Sequence, residues 1–339
     1  MIAGFLAAPA HGQVGGGQPD RLDFGVVYVG SRVEGSSRIV LDPSDVDSSK
    51  LHLDTPAFAR VELIDLSTQH LPNGNERSAC DLRAVLDTRK PGEFAGSIVA
   101  TLSQGTAREW KVEIPVKASV RPRRPGLFRV LVVETPFHRY AAGDGAIFDP
   151  WRKLVAEGDL DVDCVEHRRG QPVLEGSNLA EFDVVLLGGS GLFFLEEGEI
   201  ARLRKFAEQG GRVIVCANAF MMGSVKQANK LLVPYGLHQL DQEPRSSAQI
   251  TTGEFAPCSM TEGIRNLWFH RASPIEIRDP DTTTSLVPSL EDKTQSLLAI
   301  AVAGEGEVVA LSQSLWWSWV SRNDNATLMR NLLRKHSRR

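Results

Sequence analysis

The sequence predicts two domains of different class, an all-β sandwich over residues 19–120 and a three-layer α/β domain over 127–339. Three observations carry that expectation. A chain of 339 residues is long enough for two hydrophobic cores. Residues 21–120 show short β-branched and aromatic runs broken by turn residues and no sustained helical period, as sandwiches do. From 128 onward, continuous apolar runs alternate with amphipathic segments, the mark of a mainly parallel sheet covered by helices.

The β half reads in order. "RLDFGVVYVGSRVEGSSRIVL" (21–41) is punctuated by Gly30 and Gly35, and "RSACDLRAVLDT" (77–88) alternates. "GSIVATLSQGTAREWKVEIPVKASV" (96–120) predicts two strands around the Gln-Gly turn at 104–105. The polar insertion "STQHLPNGNERSA" (67–79) is expected to be a long hairpin loop. "RPRRP" (121–125) then breaks the chain, and its prolines favour an extended, solvated linker over 121–126.

The second half begins with "FRVLVVE" (128–134), a strand buried on both faces, and "FDPWRKLVAEG" (148–158), a short helix stopped by Gly158. "DVDCVEH" (161–167) and "FDVVLLGG" (182–189) are further strands. In "EEGEIARLRKFAEQGG" (196–211), Ile200, Leu203, Phe206 and Ala207 share a helical face, the start is acidic and two glycines close the end. "RVIVCA" (212–217) is a fourth strand, "SVKQANKLLVPYG" (224–236) a helix, and "SLLAIAVAGEGEVVALSQS" (296–314) a strand pair. A last helix runs from Asn323 with Leu328, Met329, Leu332 and Leu333 inward.

Composition excludes some functions. The formal net charge of −4 provides no basic field for a nucleic-acid backbone, so no nucleic-acid partner is expected. No apolar run is long enough for a membrane-spanning helix, and an integral membrane protein is not expected. Cys80, Cys164, Cys216 and Cys258 lack C-x-x-C or Cys/His ligand spacing, so no metal site and no cofactor are expected. Residues 1–18 look like the back half of a secretory signal followed by a spacer. A short apolar run leads to Ala8-Pro9-Ala10, an A-x-A-like cleavage site, although a basic n-region is missing. Export to a periplasmic or extracellular site is therefore expected.

Two resemblances follow from these motifs. "LDFGVVYVGSRVEGSSRIVL" (22–41), "KPGEFAGSIVATL" (90–102) and "WKVEIPVKASV" (110–120) together resemble bacterial immunoglobulin-like domains related to the ASH/MSP-type modules. Such domains bind or space and rarely catalyse, and Phe24 would be an inward anchor. The second half resembles the type 1 glutamine-amidotransferase-like superfamily in its non-amidotransferase branches. Those branches include ThuA-like proteins and gliding-motility accessory domains. The matching pieces are Phe206–Val215, Asn229–Gly236, Gly304–Leu311 and Asp324–Leu333, in the family's order. The resemblance implies a flavodoxin-like three-layer fold.

The family's catalytic residues do not carry over. True amidotransferases hold their cysteine in a strained G-x-C-x-G elbow, whereas Cys216 has Ile214 and Asn218 at the glycine positions. The late histidines His270 and His336 have no glutamate two residues on. A thiol in an apolar strand has its pKa raised, and only a neighbour such as His138 would activate it. Cys216 and His138 are thus weak catalytic candidates. Open α/β sheets bind ligands outside the carboxyl ends of their strands. The loops expected there bring Glu134, His138, Asp144, Ser190 and Asn218 toward one crevice as ligand-binding candidates. "GGSG" (188–191) offers close backbone approach but lacks a nucleotide-loop pattern. "LWWSWV" (315–320) is expected either to close the core or to form a platform for a sugar or peptide. The reading that results is a non-catalytic, exported binding or scaffolding protein with a protein or carbohydrate ligand. The alternative is a ThuA-like hydrolase acting on a carbohydrate or amide.

Overall fold

The structure is a computed structural model, and it describes residues 21–41, 51–70, 76–104, 108–123, 126–134, 149–157, 159–167, 170, 172–188, 191–219, 224–242, 249–313 and 319–334. The first part of the chain forms β1 (Leu22–Tyr28), β2 (Glu34–Leu41), β3 (Leu51–Asp54), β4 (Ala59–His70), β5 (Glu76–Leu86), β6 (Gly92–Gln104) and β7 (Arg108–Arg121). They make one sheet of order β1-β7-β6-β3 and another of order β2-β5-β4. The sheets share one core, in which Phe24, Ile39, Leu82, Ile98 and Ile114 are buried. Alternation explains the burial, since every second residue of β5 from Cys80 to Leu86 faces inward. The polar insertion is mostly strand. β4 and β5 stay paired out to His70 opposite Glu76, and only 71–75 lie outside the described residues.

The second part comprises β8 (Phe128–Glu134), α1 (Asp149–Glu157), β9 (Leu160–Glu166), β10 (Val184–Leu187), α2 (Glu197–Glu208), β11 (Arg212–Cys216) and α3 (Ser224–Leu232). After these come β12 (Leu237–Gln239), β13 (Gln249–Thr252), β14 (Leu267–His270), β15 (Ile275–Ile277), β16 (Thr283–Pro288), β17 (Gln295–Ala303), β18 (Gly306–Leu311) and α4 (Asn325–Leu333). Nine of these strands form one sheet of order β12-β15-β17-β18-β11-β10-β8-β9, with β16 on β17. The β9-β8-β10-β11-β18 portion is parallel, and β17, β16, β15 and β12 are joined antiparallel.

Both faces of this sheet are buried. Val130 and Val132 of β8 enter a core with Leu154 of α1, Leu328 and Leu332 of α4, and Trp319. Leu131 and Val133 enter the opposite core with Ile200, Leu203 and Phe206 of α2 and Leu231 of α3. The Gly304–Leu311 motif has a packing cause. A Cβ on Gly306 would lie 2.2 Å from the carbonyl oxygens of Ala207 and Gly211, so only glycine lets β18 pass the end of α2. Arg212 is buried and pins α4 to the sheet. Its guanidinium donates to Glu307 at 2.8–2.9 Å and to the carbonyl of Leu332 at 2.7 Å, one of the carbonyls a helix end leaves unpaired.

The expected pairing of an immunoglobulin-like sandwich with a flavodoxin-like three-layer domain is corrected by this architecture. The described residues form four sheets and eighteen strands against four α-helices, and the large sheet is mixed. A β13–β14 hairpin occupies part of the layer where helices were expected, and Leu267 and Phe269 of β14 are buried in that core. The amino-terminal strands form two sheets, one of which includes the parallel pair β1–β7. The physical reason is that a short apolar run has the same pattern in a parallel or a mixed sheet. β12, β15 and β16 are also only three to six residues long, too short to signal a period.

The linker is not simply solvated. The Arg123 guanidinium meets the buried Asp161 carboxylate at 2.7 Å. The edge strand β9 is itself covered by the amino-terminal part. The Cys164 amide donates to the Arg32 carbonyl at 3.0 Å, Val33 bridges Cys164 in parallel, and the Leu86 amide donates to the Val33 carbonyl at 3.0 Å. Hydrogen bonding therefore runs from β5 through residues 32 and 33 into the large sheet.

Of the tryptophan cluster, Trp316 and Trp317 lie outside the described residues, and Trp319 is fully buried. Its carbonyl accepts from the Asn325 side chain at 2.9 Å. Trp319→Ala is expected to destabilise the protein by about 3–5 kcal/mol, because it opens a cavity beneath α4. A melting curve that scarcely moves would contradict the core role.

Candidate functional site

The carboxyl ends of the parallel strands converge on one edge, the place where open α/β sheets hold ligands. β8 ends at Glu134, which pairs with Glu166 of β9. β10 leads through buried Gly188 to a 3-10 turn at Gly191–Phe194, and β11 leads through Ala217 to Asn218. Of the residues expected to line a crevice here, His138, Asp144 and Ser190 lie outside the described residues. The structure places Glu134 and Asn218 at the ends of strands that β10 separates.

Asn218 is fully buried, and its carbonyl accepts the Ser224 hydroxyl at 2.9 Å, tying the end of β11 to the start of α3. Several neighbouring groups are likewise engaged, while Gln239 Oε1 and His270 Nδ1 have no hydrogen-bond partner among the described residues. Gln239 donates its amide to the Ala217 carbonyl at 2.6 Å, the Ala219 amide donates to Ser273 Oγ at 2.5 Å, and the His270 amide donates to Gln313 Oε1 at 2.6 Å. Glycine in "GGSG" has an internal use. A Cβ on Gly191 would stand 2.7 Å from the Val133 carbonyl oxygen, so this residue packs against β8 rather than leaving room for a ligand.

Cys216 ends β11 in regular strand register opposite Leu311. It is fully buried in the core that also holds Trp319, Ile214 and Leu311. Burial pushes its thiol far up, since desolvation penalises the thiolate. No disulfide joins any of the four cysteines, and Cys258 is exposed.

One pair at this edge escaped the sequence reading. His167 follows β9 directly, Glu199 sits in the first turn of α2, and both are fully buried. His167 Nε2 donates to Glu199 Oε2 at 2.8 Å. The same carboxylate accepts the Leu174 amide at 2.9 Å and the Glu196 amide at 3.1 Å. The last of these is half of a capping box, with the Glu196 side chain accepting in return. Burial pushes the Glu199 carboxyl up, but the hydrogen bonds from His167, Leu174 and Glu196 outweigh it and hold the carboxyl below its ordinary range. His167 Nδ1 has no hydrogen-bond partner among the described residues. The imidazole stacks on Phe194 at 5.9 Å, and Phe194 walls a cavity of about 440 Å³ together with Gly170, Phe193 and Glu196. The spacing Glu196-x-x-Glu199 before an apolar helix face was the available signal for the cap. Nothing local indicated that its carboxylate would also reach the residue after β9.

Among the described residues no group of three or more His, Cys, Asp or Glu side chains could hold a metal, and no helix is long and apolar enough to cross a membrane. No family model matches the chain, and no curated protein matches it. Solved structures do match. A β-galactosidase from Rahnella is 14% identical with a TM-score of 0.40, over 60% of this chain and 30% of its own. An exo-β-1,4-mannosidase from an Opitutaceae bacterium is 14% identical with a TM-score of 0.38, over 61% and 35%. A ThuA-like protein from Parabacteroides merdae is 11% identical with a TM-score of 0.35, over 61% of this chain and 88% of its own. The chain thus spans about a third of the length of the two glycosidases.

Glu199→Gln leaves buried donors facing an amide that cannot accept from all of them. A loss of about 3–5 kcal/mol is expected, as for other buried pairs broken on one side. An unchanged unfolding midpoint would show that the pair does not anchor the 167–174 loop.

Proposed function

We propose that this chain is a non-catalytic, exported binding or scaffolding protein that recognises a protein or carbohydrate ligand through the carboxyl edge of its large sheet. The observation that carries the reading is the enclosure of Cys216. A nucleophile needs an accessible thiolate or an adjacent base. Cys216 instead sits in an apolar core, in regular strand conformation, with its thiol pushed up. Hydrogen bonds beside it tie the end of β11 to β12 and α3, and the end of β18 to β14. One observation favours a second reading, a hydrolase of ThuA-like type acting on a carbohydrate or amide. The His167 imidazole is held by a carboxylate through one nitrogen and has no partner among the described residues on the other, which is how a general base is oriented.

Cys216 separates the two readings. In folded protein at neutral pH, iodoacetamide labelling mapped by mass spectrometry should reach Cys258 quickly and Cys216 slowly. Cys216→Ser should lose about 1–3 kcal/mol of stability, because a hydroxyl replaces a packed sulfur. No turnover of p-nitrophenyl glycosides or of glutamine is expected from either protein. Rapid labelling of Cys216, or turnover that disappears in a normally melting Cys216→Ser protein, would overturn the binding reading.

A further inference from the structure

β9 reads Leu-Asp-Val-Asp-Cys-Val-Glu, so its alternation sends Leu160, Val162 and Cys164 into one core and Asp161 and Asp163 to the other face. That face meets the amino-terminal part of the chain. Asp161 is fully buried and Asp163 is 5% exposed. Two carboxylates two residues apart on one face of a strand repel each other unless cations neutralise both.

The arginines described at this seam are each placed closest to an acid other than Asp163. Arg123 of the linker meets Asp161 at 2.7 Å, and Ser31 donates to the other Asp161 oxygen at 2.6 Å. Arg129 of β8 contacts Glu181 at 2.9 Å and stands farther from Asp161, at 3.7 Å, and from Asp163, at 3.6 Å. Its guanidinium also lies over the Phe182 ring at 4.7 Å. Arg32 and Arg83 both pair with buried Glu34, at 2.7 and 2.5 Å. Among the described residues neither Asp161 Oδ2 nor Asp163 Oδ1 has a hydrogen-bond partner, but Asp161 Oδ2 has the Arg123 guanidinium at 2.7 Å. Of these acids among the described residues, Asp163 is the one whose nearest arginine stands farthest, at 3.6 Å.

We propose that the seam between the amino-terminal sheets and β9 is proton-responsive, tightening when Asp163 takes up a proton and loosening when it ionises. Burial pushes the Asp163 carboxyl up to about 6 from an ordinary 3.8. A backbone hydrogen bond from Arg32 opposes the shift, Asp161 adds to it, and Arg129 and Arg123 oppose it without cancelling it. The folded value lies above the unfolded one, so the fold disfavours the ionised form. The penalty is full above about pH 6 and is relieved as pH falls through 6 toward 4. The fold-specific gain amounts to about tenfold in the folded-to-unfolded ratio between pH 7.5 and 5. Arg32 links the two groups, since its backbone hydrogen-bonds Asp163 and its carbonyl accepts the covering bond from the Cys164 amide.

The experiment compares the full chain with Asp163→Asn, a neutral mimic of the protonated acid, in denaturant unfolding from pH 7.5 to 5. The other carboxylates cancel in the difference. Asp163→Asn is expected to be the more stable protein at pH 7.5, and its advantage should shrink about tenfold in equilibrium constant by pH 5. A variant that is less stable at pH 7.5, with a constant difference across the range, would overturn the proposal. The carboxyl of Asp163 in the unmodified protein provides a second reading by carbon NMR. A midpoint near 6 supports the proton-responsive seam, and one below about 4.5 contradicts it.

Discussion

An edge strand offers a row of unpaired amide and carbonyl groups, and β9 is the edge of a nine-stranded sheet. Much of this molecule is organised around how that edge is closed. Residues 32 and 33 turn their carbonyls in opposite directions, one toward β9 and one toward β5, so the two halves of the chain share hydrogen bonding. Inward charges on an edge strand discourage pairing with a foreign chain. Here they are matched instead by arginines of this chain, Arg123 from the linker and Arg129 from the neighbouring strand. The linker is consequently part of the structure, and its position depends on a buried carboxylate.

The strands and helices that bury a full face were legible in the sequence. α2 is the clearest case. Ile200, Leu203, Phe206 and Ala207 are all buried, the capping box opens the helix, and Gly210 and Gly211 close it. The apolar run of β8 is buried on both faces as its composition requires. What was not legible depends on partners distant in sequence. The antiparallel side of the sheet is assembled from strands of three to nine residues, whose pairing is decided by neighbours rather than by their own pattern. Arg123 reads as a solvated linker residue until Asp161 is placed beside it.

The carboxyl edge shows the same division. Cys216 could be read as a core thiol because its strand is apolar and its flanks lack the elbow glycines, and its burial agrees with that chemistry. The His167–Glu199 pair joins residues 32 positions apart. Its carboxylate anchors three donors at once, from the β9 exit, from the return loop at Leu174 and from the cap of α2. A buried polar atom without a partner is costly in a protein interior, and among the described residues His167 Nδ1, Gln239 Oε1 and His270 Nδ1 are atoms of this edge that would gain from a ligand or a water.

The central claim is that the amino-terminal part closes the β9 edge, most firmly when Asp163 is protonated. Native-state hydrogen exchange at the Cys164 amide tests it most directly, because that proton is the one donated across the seam to Arg32. At pH 5, protection approaching that of the Val213 amide in the middle of the parallel sheet is the predicted result. Exchange at the rate of a surface amide, with Val213 still protected, would show that the edge opens freely and that the two halves are only loosely joined.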